Sequence, residues 1–97
     1  MFVQMIEFTC NDREKLDGLA NEWTKDATGE GTVQRAVLGR RSEADDRYVW
    51  IVYFKSADEA RRNSERAETG SYAQRLQRIC SQGPTFVDLD IVDHWPR

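Results

Sequence analysis

The stretch RYVWIVYF, residues 47–54, is the strongest strand pattern in the chain. After its first residue, every side chain is β-branched or aromatic, and these residue types are enriched in strands. Neighbouring residues of a strand point to opposite faces, and here both sets are apolar or aromatic. One face carries Tyr48, Trp50, Val52 and Phe54, and the other carries Val49, Ile51 and Tyr53. The pattern predicts a strand that is covered on both sides.

Three further elements precede this strand. Residues 2–10 are rich in Phe, Val and Ile and predict a first strand. Asn11 with Glu14 three positions later resembles a capping box, and apolar residues then follow at helical spacing, so a helix is predicted over residues 12–27. Residues 32–41 predict a second strand, which a short polar loop joins to the strand at 47–54.

A long helix and a final strand complete the chain. Ser56 opens a second capping box, and the helix is predicted to run to Cys80 with an interruption at Gly70. The segment SQGP, residues 81–84, has the Gly-then-Pro order that often follows a helix end. Residues 85–92 alternate and predict a fourth strand.

The resulting order, βαββαβ, predicts an α+β protein with a ferredoxin-like fold. In that fold an antiparallel sheet carries both helices on one face. With 97 residues, we expect one domain spanning residues 1–97. The uncovered face of the sheet would be apolar, and such a face on a small domain usually forms an interface. We therefore predict a homodimer that pairs two sheets.

Charge and cysteine content argue against several classes of protein. The chain has 14 basic and 17 acidic residues, a net charge of -3, and scattered basic residues, so we expect no nucleic-acid partner and no membrane partner. It lacks a secretion signal and an apolar run of ~18 to 20 residues, which predicts a cytoplasmic protein. Cys10 and Cys80 form no CxxC pair, so we expect reduced thiols, no disulfide framework and no metal site.

Several segments of the second half are similar to the antibiotic-biosynthesis-monooxygenase-like group of dimeric α+β barrels. They are YFKSADEA at 53–60, NSER at 63–66 with Glu68, PTF at 84–86 and DLD at 88–90. The closest similarity is to a small actinobacterial branch of that group. The resemblance implies a barrel of two sheets with a pocket between sheet and helices in each subunit. Characterised relatives oxidise polycyclic phenols or haem with oxygen, so the resemblance implies an oxygenase that needs neither metal nor flavin.

The pocket positions of that group hold different residues here. In relatives that oxidise aromatic polyketides, an Asn and a Trp on the third strand and a Tyr early in the second helix line the pocket. Counting from Ser56 places Trp50, Phe54 and Ala60 at these positions. Haem-degrading relatives carry an axial His on the second helix, which residues 56–80 lack. The resemblance therefore implies aromatic walls and no haem.

Four residues are candidates for binding a small aromatic ligand. Trp50 lies at the centre of the best strand, where a large flat ring can stack on a ligand. Tyr48 and Phe54 share its face. The Asn63 amide could fix an oxygenated substrate by directed hydrogen bonds. The alternatives are that the aromatic residues fill the core and that Asn63 belongs to a charged helix surface.

Three residues are candidates for catalysis. Tyr72 could donate a phenol proton, although its spacing from the apolar residues of the same helix also fits the core. Arg66 could bind an oxygenated substrate, or it could brace the helix break at Gly70. His94 is the only imidazole, and Asp93 beside it could orient the ring as a base. Its position in a terminal tail also fits a residue without a catalytic role.

Three functions remain open from the sequence. The first is a cofactor-independent oxygenase that acts on a small aromatic metabolite. The second is a non-catalytic binding or structural dimer. The third is an RNA-recognition module, which shares the βαββαβ order and stacks bases on strand aromatics. The acidic charge balance and the absence of glycines from residues 47–54 argue against this third function.

Overall fold

The computed structural model describes residues 1–97 and has the element order βαββααβ. The strands are β1 (Phe2–Cys10), β2 (Val33–Arg40), β3 (Arg47–Phe54) and β4 (Cys80–Asp90). The helices are α1 (Arg13–Gly29), α2 (Ala57–Ser64) and α3 (Ala67–Ile79). None of these helices combines the length and the apolar character that a membrane span requires.

The four strands form one antiparallel sheet in the order β2-β3-β1-β4. The helices pack on one face of this sheet, and their buried residues join the strand residues in a single core. The predicted α+β, ferredoxin-like fold is therefore confirmed. Strand β3 has the predicted bounds, and β4 is an edge strand.

The two faces of β3 differ in their cover. Tyr48, Trp50, Val52 and Phe54 lie under the helices and are at most 5% exposed. The side chains of Val49, Ile51 and Tyr53 lie on the opposite face and are only half-buried. Within one subunit β3 is therefore covered on one side only, and cover of its second face by a partner subunit stays a prediction. The second face of the sheet is open.

The open face is apolar across all four strands. Residues paired in antiparallel register share a face, so the register identifies the members of this surface. We call its apolar part the open sheet face: Val3, Met5, Val37, Val49, Ile51, Tyr53, Val87 and Leu89. The register also places Glu7, Thr85, Arg35 and Gly39 on this side of the sheet, towards its ends and edges. Val37, Val87 and Leu89 are 36 to 39% exposed. No helix of the chain packs on this face.

Helix α1 begins one residue later than the capping-box pattern predicts. The N-cap is Asp12, whose carboxylate accepts a hydrogen bond of 3.0 Å from the backbone N–H of Lys15. The prediction that Asn11 and Glu14 form the capping box is therefore wrong. A carboxylate at this position also interacts favourably with the positive end of the helix dipole.

The break in the second helical region lies at Glu65 and Arg66 rather than at Gly70. Arg66 adopts an extended backbone, with φ -70° and ψ 136°, and Gly70 lies inside α3. A single glycine costs a helix only about 1 kcal/mol, so it does not dictate a break. The turn at Arg66 instead allows this side chain to reach Asp26 on α1, with 3.2 Å between Nη2 and Oδ1.

Helix α3 ends at Ile79, one residue before the predicted end, and β4 begins directly after it at Cys80. The prediction that the fourth strand begins at residue 85 is therefore wrong. Gly83 has φ +84°, a left-handed conformation that favours glycine. A Cβ on this residue would lie 2.8 Å from the carbonyl oxygen of Glu7 on the neighbouring strand. The β1–β4 register shifts between Glu7 and Thr9. The Gly-Pro sequence therefore marks an irregular position within a strand pair.

The two cysteines are directly opposite each other on β1 and β4. Both are free thiols, and Cys10 is fully buried. Burial, reinforced by the neighbouring Cys10, raises the pKa of the Cys80 thiol to about 11. Cys80 is therefore protonated at neutral pH and is a weak nucleophile.

Candidate functional site

A cavity of about 60 Å³ lies between the sheet and the helices. Its floor is one row of the sheet, in which Trp50 on β3 pairs with Ile6 on β1 and Ile6 pairs with Phe86 on β4. Gln4, two residues along β1, belongs to the same face and also lines the cavity. The strand register thus brings three strands to one site.

Helices α1 and α3 form the roof of the cavity. The lining side chains are Leu19 and Trp23 from α1, and Thr69, Tyr72, Ala73 and Leu76 from α3. The rings of Trp23 and Trp50 are edge to face, with centroids 4.7 Å apart and planes at 70°. This packing fixes both indoles, so the roof and the floor meet at a rigid aromatic wall.

An exposed ion pair links the two roof helices. Both guanidinium Nη atoms of Arg75 on α3 donate to the carboxylate of Glu22 on α1, at 3.3 and 2.6 Å. The hydrogen bond from Arg75 holds the pKa of Glu22 below its ordinary value. A two-point contact of this kind restricts the orientation of both side chains.

Helices α2 and α3 each place one polar side chain in the lining of the cavity. Asn63 on α2 is only 5% exposed, yet its Oδ1 has no hydrogen-bond partner. The Oγ1 of Thr69 on α3 is also buried without a partner. Buried polar groups are nearly always hydrogen-bonded. Oδ2 of Asp26 and Nη1 of Arg66, in the cluster behind Asn63, also lack a hydrogen-bond partner, so the unpaired groups are not confined to the cavity.

A partly buried ion pair lies beside Asn63. Arg66 and Asp26 are 18% and 22% exposed, and Nη2 of Arg66 is 3.2 Å from each carboxylate oxygen of Asp26. Gly31 leaves room for this arrangement. A Cβ there would lie 2.6 Å from Nη1 of Arg66, 2.7 Å from the carbonyl oxygen of Ala27 and 3.1 Å from Oδ1 of Asn63.

Gly31→Ala is expected to lower the free energy of unfolding by about 1–3 kcal/mol, because the new methyl group overpacks this cluster. One obstacle is the backbone oxygen of Ala27, which cannot rotate away as a side chain does. Urea denaturation measures the effect. The matched control is Gly18→Ala in the interior of α1, where nothing lies within 4 Å of the new Cβ.

Gly18→Ala is expected to raise stability by about 0.5–1 kcal/mol, because alanine favours the helix. Equal effects of the two substitutions would contradict the close packing around Gly31.

The mouth of the cavity lies at the β4 edge of the sheet. Phe86 belongs to the floor but is 50% exposed, because no helix covers β4 fully. Next to it, the side-chain amide of Gln4 donates a hydrogen bond of 3.0 Å to Asp88 on β4. A ligand could therefore enter past Phe86.

Three of the seven predicted site residues meet at this cavity. They are Trp50, Asn63 and Tyr72. Arg66 lies behind Asn63, paired with Asp26, and is not part of the lining. Asn63 and Arg66 therefore do not form the exposed, charged helix surface that the sequence left open as an alternative.

Tyr48 and Phe54 lie in the core and do not line this cavity. Phe54 is 1% exposed and packs against Phe2, with ring centroids 6.3 Å apart. Tyr48 stacks on Phe8 at 5.7 Å. Both side chains point to the helix side of the sheet. They lie two or more residues along β3 from Trp50, so other core residues cover them.

His94 is exposed in the segment after β4 and does not line the cavity. The carboxylate of Asp93 accepts hydrogen bonds from the backbone N–H of His94 and from Arg97. Arg97, and then the His94 N–H, hold the pKa of Asp93 below its ordinary value. The expectation that Asp93 orients the imidazole is therefore wrong, because this carboxylate binds other groups.

The sequence pattern did not single out several lining residues. Thr69 has the same helical spacing from Tyr72 and Leu76 that marks an inward stripe, and this spacing was the available signal. Trp23 has the spacing of the apolar stripe of α1, and it both packs in the core and lines the cavity. Nowhere in the chain do three or more His, Cys, Asp or Glu side chains come together as a group that could hold a metal ion.

The fold of this chain is that of the antibiotic biosynthesis monooxygenases, as the sequence resemblance predicted. A mutant form of SnoaB, a cofactor-independent oxygenase from Streptomyces nogalater, matches with a TM-score of 0.87 and 15% identity, over 99% of this chain and 97% of that one. A candidate antibiotic biosynthesis monooxygenase from Deinococcus radiodurans matches with a TM-score of 0.81 and 5% identity, over 97% of this chain and 95% of that one. Another, from Nitrosomonas europaea, matches with a TM-score of 0.76 and 12% identity, over 96% of this chain and 100% of that one.

These similarities are structural. No protein-family model and no curated protein sequence matches the chain. At such low identities, the fold is shared but the chemistry has to be argued from the site. The narrower similarity to an actinobacterial branch stays a prediction.

Proposed function

We propose that this chain is a cytoplasmic homodimer that binds a small aromatic metabolite in the cavity of each subunit and acts on it as a monooxygenase without metal or flavin. One observation carries the proposal: a cavity walled by Trp23, Trp50, Tyr72 and Phe86 whose lining also includes the polar residues Gln4, Asn63 and Thr69. Flat rings pack well on aromatic walls, and a few polar groups fix their orientation. A cofactor-independent oxygenase with the same fold supports the choice of chemistry.

The open sheet face supports the dimer. Its apolar side chains extend over all four strands, and several are more than a third exposed. Exposed apolar patches of this kind mark interaction surfaces. A second copy of the chain offers an identical apolar sheet, so two copies can bury the open sheet face by twofold packing.

The proposed reaction depends on the substrate for its electrons, because the anion of a phenolic ring would reduce oxygen directly. The protein would then bind the ring between Trp50 and Tyr72, exclude water and position the phenolic oxygen. Tyr72 has the only ionisable side chain in the lining. Its hydroxyl is our candidate for proton transfer to or from the substrate.

A specific observation favours the alternative, a non-catalytic binding module. No carboxylate and no imidazole lines the cavity, so a strong base for removing a phenolic proton is missing from the lining. A carrier needs only the aromatic walls and the polar lining residues. The two functions predict the same binding but differ in oxygen uptake.

Titration with a panel of phenols and quinones, followed by oxygen uptake for each binder, tests the proposal. Binding is measured by tryptophan fluorescence, because Trp23 and Trp50 line the cavity. For a ligand that the protein oxidises, Tyr72→Phe is expected to lower the rate of oxygen uptake by about 10²–10⁴-fold, which is the usual contribution of a proton-transfer group. The matched control is Tyr53→Phe, which removes a hydroxyl from the open sheet face and should leave the rate unchanged.

Saturable binding with oxygen uptake that depends on Tyr72 supports the monooxygenase. Binding without oxygen uptake contradicts it and supports the binding module. If no compound of the panel binds, both functions are contradicted.

A further inference from the structure

The sheet brings the two cysteines of the chain face to face, although they lie near opposite ends of the sequence. Cys10 ends β1 and Cys80 opens β4, and the antiparallel register pairs them directly. Opposed residues of antiparallel strands point to the same face of the sheet. Both thiols point to the helix side here, because Cys10 belongs to the buried core and Cys80 packs against that core.

The spacing of such a pair suits a disulfide. Opposed residues of antiparallel strands have Cα atoms about 4.5–5.5 Å apart. Disulfides join residues whose Cα atoms are about 4.4–6.8 Å apart. Rotation of the two side chains therefore brings the sulfur atoms of Cys10 and Cys80 together without any change in the pairing of the strands.

The cysteine pair lies where both roof helices meet the sheet. Cys80 is the C-cap residue of α3, and its backbone N–H donates to the carbonyl oxygen of Leu76. The Cys10 thiol donates a hydrogen bond of 3.6 Å to the carbonyl oxygen of Asp12, the N-cap residue of α1. A thiol is a weak donor, so a bond between the sulfur atoms sacrifices little and ties the end of α3 to β1.

We propose that Cys10 and Cys80 form a reversible disulfide when a small-molecule disulfide is present as the oxidant. The bond fixes the end of α3 to the sheet. This modification site does not depend on the proposed function, because it uses no residue of the cavity lining.

The reaction is a two-step thiol–disulfide exchange. The half-buried Cys80 reacts first, since Cys10 is only 1% exposed. Its thiolate attacks the small disulfide, bonds to one of the two sulfur atoms and releases the other as a thiol. The Cys10 thiolate then attacks the Cys80 sulfur and displaces the second small thiol. The two protein thiols lose two electrons and two protons, and the oxidant takes up both.

The first step is expected to be slow at neutral pH and to accelerate as the pH rises. Burial, and then the neighbouring Cys10, raise the pKa of the Cys80 thiol to about 11. Because the thiolate is the attacking form, the rate constant should increase about tenfold per pH unit from about pH 7 to 9. Acid quenching followed by mass spectrometry measures this rate. A rate that levels off within that range would contradict the first attack by Cys80.

Incubation of the folded wild-type chain with glutathione disulfide tests the proposal. Intact-mass spectrometry should show a single chain that has lost two hydrogen atoms, and dithiothreitol should restore the original mass. Cys10→Ala lacks the second attacking thiol, so this variant should keep one glutathione on Cys80. In Cys80→Ser the buried Cys10 should stay unmodified.

A comparison with the unfolded chain shows whether the native strand pairing is responsible. In glutathione redox buffers at equilibrium, the disulfide should be at least about tenfold more favoured in the folded chain than in the chain unfolded by urea. The reason is that only the folded sheet holds the two thiols opposite each other.

An equal or smaller preference in the folded chain would overturn the proposal. So would a stable glutathione adduct on the wild-type chain, disulfide-linked pairs of chains, or two thiols that both stay reduced.

Discussion

Replacing Ile51 with glutamate is expected to convert the proposed homodimer into a monomer. Ile51 lies on β3, an inner strand of the sheet, and its side chain belongs to the open sheet face. In a dimer a carboxylate there would be buried without a partner, which costs about 3–5 kcal/mol, or more than a hundredfold in affinity. In the monomer the half-buried position lets the charge reach water.

Sedimentation equilibrium distinguishes the two states. The wild-type protein should have twice the 11.3 kDa mass of the chain, and Ile51→Glu should have the mass of one chain. Gln77→Glu, which places the same charge on an exposed position of α3, is the matched control and should remain dimeric. A dimeric Ile51→Glu variant would show that the open sheet face is not the interface.

Phe54→Ala is expected to lower the free energy of unfolding by about 3–5 kcal/mol. Phe54 is 1% exposed, packs against Phe2 and belongs to the central core. Because globular domains have only about 5–15 kcal/mol of stability, this change removes a large part of it. Phe54→Leu keeps most of the volume and should cost less than about 1.5 kcal/mol. Urea denaturation gives both values.

Phe86→Ala is the matched change at the mouth of the cavity. Half of this side chain is already exposed, so its removal should cost much less stability than Phe54→Ala while weakening aromatic ligands. Phe54→Leu is also expected to cost little stability, but it should leave ligand affinity unchanged. A selective loss of affinity in Phe54→Leu would restore Phe54 to the binding site.

Strand β3 and the fold could be predicted from the sequence because local pattern and tertiary structure agree there. Residues 47–54 are strand-forming on both faces, and the order of elements leaves few topologies. The position of the helix break could not be predicted in the same way. Gly70 is a local signal, whereas the actual break lies at Arg66, whose side chain contacts Asp26, 40 residues earlier in the chain.

Some residues of the candidate site could likewise be predicted from the sequence, and others could not. Trp50 could be predicted from its place at the centre of β3, and Asn63 and Tyr72 from their residue types. Tyr48 and Phe54 share the face of Trp50, and sequence alternation cannot tell which row of a face lies beside a cavity. Only the strand pairing shows that Phe86 on β4 lies in line with Ile6 on β1 and Trp50 on β3 across the sheet. Thr69 has the helical spacing of an inward-facing residue, but that its hydroxyl is buried without a partner depends on tertiary packing, which no sequence pattern reveals.

The central claim is that an aromatic ligand binds between the sheet and the helices. The most direct test is an isotope-filtered nuclear Overhauser experiment on the protein with 4-methylphenol, or with the tightest binder of the phenol panel. We expect contacts from the ligand ring to side-chain protons of Trp50, Tyr72 and Leu76. Contacts to Val37 and Val87 on the open sheet face, without any to Trp50, would contradict the claim.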